Sequence, residues 1–227
     1  MFRKFALATA AAAFFTATPA LAQEQDLQPA VTNTENANAE ASEFPLRANF
    51  DMTQDRENIL LLDLSTGERI AIRLVPQWAP NHVERIKMLT RQGFYNGVPF
   101  HRVIDGFMAQ TGRGESGLPD LENEFNFLPH VRGSVSAARL PDDNDSANSQ
   151  FFIVFYPTFA LDRQYTNFGR VISNMPAVDA IARGEPPANP TMILQASIAA
   201  DNVPQMMSAQ EEVEEEEITL DMLNGEL

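Results

Sequence analysis

The 227-residue chain carries 16 Lys and Arg against 31 Asp and Glu, a formal net charge of -15, and it has no cysteine. A polyanion gains nothing from counterion release on a phosphate backbone, which excludes nucleic acid as the main ligand. Without Cys there is no disulfide staple, thiol chemistry, iron-sulfur cluster or Cys-zinc site, so stability must come from a hydrophobic core. At the start, Arg3 and Lys4 precede an apolar Ala-rich run from Phe5 to Phe15 and an Ala20-Leu21-Ala22 cleavage pattern. This reads as a secretory signal peptide over residues 1–22, too short to span a bilayer as a mature helix, and it places the mature protein in the periplasm. Residues 23–47 are rich in Gln, Asn, Thr, Ala and Glu with no apolar period, the composition of a disordered linker. A folded domain is expected over 48–200, about 150 residues and thus one core. Residues 201–227 carry Glu211, Glu212 and Glu214 to Glu217, the pattern of a solvated acidic tail. No later run of about 18 apolar residues exists, so no membrane span is expected.

Within the domain, Ile59 to Leu64 and Arg69 to Val75 are β-rich runs on either side of Ser65-Thr66-Gly67-Glu68, which predicts a hairpin. Next, Val83, Ile86 and Leu89 or Thr90 share one face of a helix of about three turns, with Asn81 as the expected cap and Gly93 as the stop. Phe100 to Gln110 reads as one strand, and Arg102 within it is flanked by Phe100, Val103, Ile104, Phe107 and Met108. A strand core tolerates such a charge only when it is paired or faces a cavity. The glycine-rich run from Gly112 to Gly117 is followed by no helix carrying Lys and Ser or Thr, so it is not a phosphate loop. Further strands are expected at Gly133 to Ala138, Gln150 to Phe155, Asn167 to Ile172 and Met192 to Ala199, with a short helix from Pro176 to Arg183 ending at Gly184. Many strands and two helices give a mainly β fold, a closed or nearly closed antiparallel barrel with capping helices.

Four separated segments carry similar chemistry: FHRVIDGFMAQ, VSAARL, NSQFFIVF and ALDRQYTNFG. On these strings, and over nearly all of Ile59 to Ala199, the chain resembles the cyclophilin family of peptidyl-prolyl cis-trans isomerases. The resemblance implies a closed eight-stranded antiparallel β-barrel capped by two α-helices. It implies that Arg102 is the catalytic Arg and that Gln110 orients it and the substrate. Phe107 joins these two at the catalytic centre and, with Met108, Phe152 and Leu161, forms the apolar wall for a proline ring. Ala138 and Arg139 fall where the family's backbone grips the peptide, and Gln150 falls on the cleft floor. Departures are Ala160 where Trp is frequent, Tyr165 where His is frequent, Arg139 for a frequent Asn, and Thr111 for Gly. The first should weaken cyclosporin-type inhibitors, since a large ring and its N–H are missing.

The chemistry also follows from the residue types. An amide resists rotation by about 18 to 20 kcal/mol through delocalisation of its nitrogen lone pair. In the twisted transition state the prolyl nitrogen becomes pyramidal and basic, and a fixed guanidinium can then donate to it. Arg suits this role, being planar, permanently charged and weakly hydrated. No cofactor, metal or nucleophile is needed, and His82, His101 and His130 have no HExxH spacing. Isomerisation moves no proton, so His101 is placed among the substrate-binding residues as a packing and hydrogen-bonding group. Ser134 and Ser149 show no His-Asp partner, Glu122 and Glu124 read as loop or strand-start residues near the surface, and Trp78 reads as a cover for the core. The function expected is acceleration of X-Pro isomerisation during folding of exported proteins. The partners are proline-containing unfolded or partly folded polypeptides, and the chain is a monomer. The alternatives are a non-catalytic proline-peptide binding module or chaperone using the same cleft, and a scaffold acting through the acidic tail.

Overall fold

A computed structural model describes residues 55–207. The expected signal segment, the tether and the Glu211 to Glu217 block lie outside the described residues. Residues 205 and 206 run back along the first hairpin: Gln205 Nε2 donates to Gly67 O at 3.0 Å and the Met206 N–H to Asp63 Oδ2 at 2.8 Å.

The first hairpin pairs β1 (Ile59–Leu64) with β2 (Arg69–Leu74) in antiparallel register, Ile59 opposite Arg73 and Asp63 opposite Arg69. Gly67 takes φ +86° in the turn, a left-handed conformation that favours glycine. Leu60, Leu62, Leu64, Ile70, Ile72 and Leu74 are fully buried, as a period of two directed at one core requires. Helix α1 (Pro80–Arg91) buries Val83, Ile86, Leu89 and Thr90, the face expected. Asn81 does not cap it, because the helix begins one residue earlier with Pro80 in its first turn and Ala79 at the cap. The free N–H groups of Asn81 and His82 donate instead to the Glu124 carboxylate at 3.1 and 3.0 Å. Glu124 is therefore a half-buried structural group of its loop rather than a surface one.

The stretch expected as one strand from Phe100 to Gln110 is a tight hairpin. β3 (Val98–Pro99) and β4 (Arg102–Ile104) are followed by a turn at Asp105-Gly106, then by β5 (Met108–Thr111). Gly106 takes φ +70°, and the Phe107 N–H closes the turn on Ile104 O at 3.1 Å. The chain goes on through β6 (Ser134–Ala137), β7 (Phe151–Val154), β8 (Asn167–Ser173), α2 (Met175–Asp179) and β9 (Met192–Ile198). The second helix is shorter than expected, with Pro176 in its first turn and Ala180 closing it.

The nine strands among the described residues form one sheet in the order β3-β9-β1-β2-β8-β6-β7-β5-β4, with every pairing antiparallel. The fold is thus mainly β and curled, as expected, but with nine strands, and its end strands β3 and β4 do not hydrogen-bond to each other. They are consecutive in the chain. The Phe100 N–H donates to Thr191 O at 2.9 Å and the His101 N–H to Gln110 O at 3.1 Å, so one bent segment passes from the β9 side to the β5 side. The sheet is therefore curled but open between β3 and β4, where a closed eight-stranded barrel was expected. The main core fills the interior, and a smaller cluster of Met108, Phe152 and Val154 packs with Phe107, Leu161 and Tyr165 on the opposite face. No helix among the described residues is long and apolar enough to cross a membrane.

Candidate active site

The register of β4, β5, β7 and β6 builds the site. Arg102 lies opposite Gln110, Gln110 opposite Phe152, and Phe152 opposite Ser136. Directly opposed residues of antiparallel strands point to the same face, so one rung across four strands presents an Arg, a Gln, a Phe and a Ser together. The next rung places Ile104, Met108 and Val154 side by side on that face. Alternation sends Ala109, Phe151 and Ile153 into the main core, which anchors the platform from behind.

Over this platform lies a cavity of about 310 Å3 lined by Arg102, Phe107, Met108, Gln110, Ala138, Arg139, Pro141, Phe152, Leu161 and Tyr165. Nine of the eleven residues singled out from the sequence are in that lining, and Pro141 is an addition. Gln150 borders an adjoining cavity of about 240 Å3 that shares Gln110, Ala138 and Arg139, and it accepts a hydrogen bond from Gln110 Nε2 at 3.0 Å. His101 lines neither cavity. It follows Phe100 at the bend and is buried. Burial pushes its pKa down, and the nearby Arg113 and Arg102 charges act in the same direction.

Each wall is braced. Tyr165 meets Phe152 edge to face, with centroids 5.6 Å apart. The Arg139 guanidinium stacks over Tyr165 at 4.7 Å, while its Nε donates to Gln164 O at 3.0 Å and its Nη1 to the Leu140 and Pro141 carbonyls. Arg139 thus clamps the loop that carries Pro141 to the segment that carries Tyr165. Behind Phe152 lies His130, its ring nearly parallel at 6.4 Å. The His130 backbone N–H and Nδ1–H both donate to Asp162 Oδ1, at 2.8 and 2.9 Å, which fixes the tautomer. Its Nε2 then accepts from Ser136 Oγ at 2.9 Å. Burial lowers the His130 pKa, against an opposing pull from Asp162.

Arg102 is on the rim of the cavity, 41% exposed, and its Nε donates to Glu185 Oε2 at 2.7 Å. The Arg102 side chain is therefore both paired and facing a cavity. Chemically the arrangement offers an apolar bowl with two guanidinium groups on its rim, Arg139 committed to the flanking loops and Arg102 beside the neutral amide of Gln110. Among the described residues there is no group of three His, Cys, Asp or Glu that could hold a metal ion. Sequence reasoning missed Glu185, His130, Asp162 and Ser136: Glu185 and Asp162 meet partners 83 and 32 positions away, and no local pattern joins Ser136 to His130, six residues before it.

The family profile described as "Cyclophilin type peptidyl-prolyl cis-trans isomerase/CLD" matches residues 61–198. A "Probable peptidyl-prolyl cis-trans isomerase" of Brucella suis is 46% identical over 169 residues, covering 65% of this chain and 85% of that protein. "Peptidyl-prolyl cis-trans isomerase B" of Bacillus subtilis is 36% identical over 129 residues, covering 54% of this chain and 89% of its own. Among solved structures, the cyclophilin AquaCyp293 from Hirschia baltica superposes with a TM-score of 0.60 at 28% identity, covering 66% of this chain and 77% of that one. A Cryptosporidium parvum cyclophilin-type isomerase crystallised in the presence of the dipeptide Ala-Pro gives a TM-score of 0.55 at 21% identity, over 62% and 98% of the two chains, a likeness of fold.

Proposed function

The chain belongs to the cyclophilin-type peptidyl-prolyl cis-trans isomerases and is an enzyme of that class, and from this premise we propose that it accelerates X-Pro isomerisation through Arg102 as donor to the prolyl nitrogen. The observation that carries the reading is the single rung on which Arg102, Gln110 and Phe152 share one face. Phe152 and Met108 form the floor for a proline ring, and Phe107 and Leu161 its sides. Gln110, held by Gln150, sits between the ring site and the guanidinium, where its amide orients the peptide.

In the planar ground state the prolyl nitrogen has no free lone pair to accept a proton donor. As the amide twists, the lone pair localises and the guanidinium meets it, so the interaction is stronger in the transition state than in the substrate. The apolar bowl excludes water around that contact and strengthens it. A fold relative crystallised with Ala-Pro supports a proline-containing peptide as the ligand. The substrates proposed are unfolded or partly folded exported proteins in the periplasm, a reading that rests on the sequence pattern of residues 1–22.

The test is cis-trans exchange of a short Ala-Pro-Phe peptide followed by NMR. The parent should accelerate exchange, and Arg102→Ala should lower turnover by about 100-fold or more, the usual cost of removing a transition-state donor, while its melting temperature stays at the parent's. Equal turnover in the two proteins would sink the mechanism. Peptide binding without faster exchange in either would turn the reading to a proline-peptide binding module.

A further inference from the structure

Arg102 reaches the cavity on a long side chain whose rotamers must be confined before its terminal nitrogens can face a prolyl nitrogen. Among the described residues its Nε is bonded, to Glu185. The position of that carboxylate is set by the backbone. Val103 N–H donates to Gly184 O at 2.7 Å and Gly184 N–H to Val103 O at 2.9 Å, an antiparallel bridge that holds residue 185 alongside the strand carrying Arg102. Gly184 takes φ +145°, and a Cβ there would lie 2.6 Å from Pro187 Cα and 2.9 Å from Pro186 O, so only glycine lets the segment lie this close. Pro187 is itself buried. On the other side Arg183 donates to Asp105 Oδ1 at 3.1 Å and lies over the Phe155 ring at 4.2 Å, fastening the segment to the β4–β5 turn.

We infer that Glu185 is a positioning residue for Arg102: by accepting the Nε–H it aims the two terminal amino groups of the guanidinium into the cleft before a peptide arrives. A guanidinium is a planar fork of five donors, so fixing one edge fixes where the other points. The pair is 41% and 51% exposed on its two sides, and exposed pairs add little to stability. The contribution of Glu185 is therefore kinetic. The planar substrate does not call on the donor and the twisted one does, so the loss falls on kcat rather than KM.

The inference rests on the proposed isomerase mechanism, and the experiment separates the two. Peptide exchange is measured over a substrate series for the parent, Glu185→Ala and Glu185→Gln, together with the Arg102 Nε–Hε NMR correlation. Glu185→Ala should lower kcat about three- to tenfold, the scale of one exposed charge-assisted contact, with KM and melting temperature unchanged. Its Nε–Hε signal should move to the position of solvent-exposed arginines. Glu185→Gln keeps an acceptor oxygen at the same reach and should recover most of the rate and the signal. Unchanged kcat in Glu185→Ala overturns the inference alone, as does a rise in KM with a lowered melting temperature, which marks a purely structural pair. A parent that fails to accelerate exchange overturns the isomerase reading and this inference with it.

Discussion

Phe152 occupies the centre of the rung and is 4% exposed, pressed by His130 behind and Tyr165 at its edge. Phe152→Ala removes both a packed ring and the floor of the proline site. It should cost about 3 to 5 kcal/mol of stability and raise KM, read as a lowered denaturant midpoint and a weaker peptide titration. An unchanged midpoint would place the ring outside the packed structure. The group behind it has the atoms of a hydrolytic triad, Ser136, His130 and Asp162, yet Ser136 is fully buried and its hydroxyl is committed to His130 Nε2. It braces the cleft and presents no nucleophile to a substrate. Ser134 and Ser149 drew attention in the sequence while Ser136 did not, because no local pattern joins it to His130 six residues before it. Arg102, Phe107, Met108 and Gln110 were legible because they fall within nine consecutive residues. Glu185 lies 83 positions from the Arg it holds, and no local pattern announces it.

The entry of α1 shows how an element can depend on a distant side chain. Glu124 receives the Asn81 N–H, the His82 N–H and His82 Nδ1, the last at 2.6 Å. It does for this helix what a cap residue does elsewhere, but from a loop 42 residues downstream of His82. Glu124→Ala should therefore cost about 1 to 2 kcal/mol in denaturant unfolding, whereas Asn81→Ala should cost only a few tenths. The reverse ranking would restore Asn81 as the cap. The helix face and most strands were legible because burial imposes periods of 3.6 and 2 on apolar residues. The β4–β5 reversal is marked by Asp105-Gly106, a dipeptide that favours a tight hairpin turn, and the one-strand expectation for Phe100 to Gln110 gave the flanking apolar residues more weight than that signal. The nine-strand count was also hidden, since a bend at Phe100 and His101 leaves no mark in hydrophobicity.

At the scale of the whole molecule, His82, His101 and His130 are all buried, and burial lowers the pKa of each below 6.5. Below that pH the unfolded chain takes up protons that the folded one refuses, so stability is full above about pH 6.5 and declines as pH falls. The melting temperature should drop between pH 7 and pH 5, and His130→Gln, which removes one of these groups, should flatten the drop. A profile level over that window would contradict the linkage. Glu57, held at about 2 by Arg91 and Lys87, acts in a separate and more acidic range, between about 4.5 and 2. The strand order also sets when the sheet can form. β9, the last strand of the sheet, is the partner of both β1 and β3, near the start of the domain. A chain emerging from the ribosome therefore carries two unpaired strand edges until residues 192–198 are made, and such edges invite association with other chains. Synthesis must run almost to the end of the domain before the sheet bearing Arg102 is complete, so this isomerase gains its full sheet late.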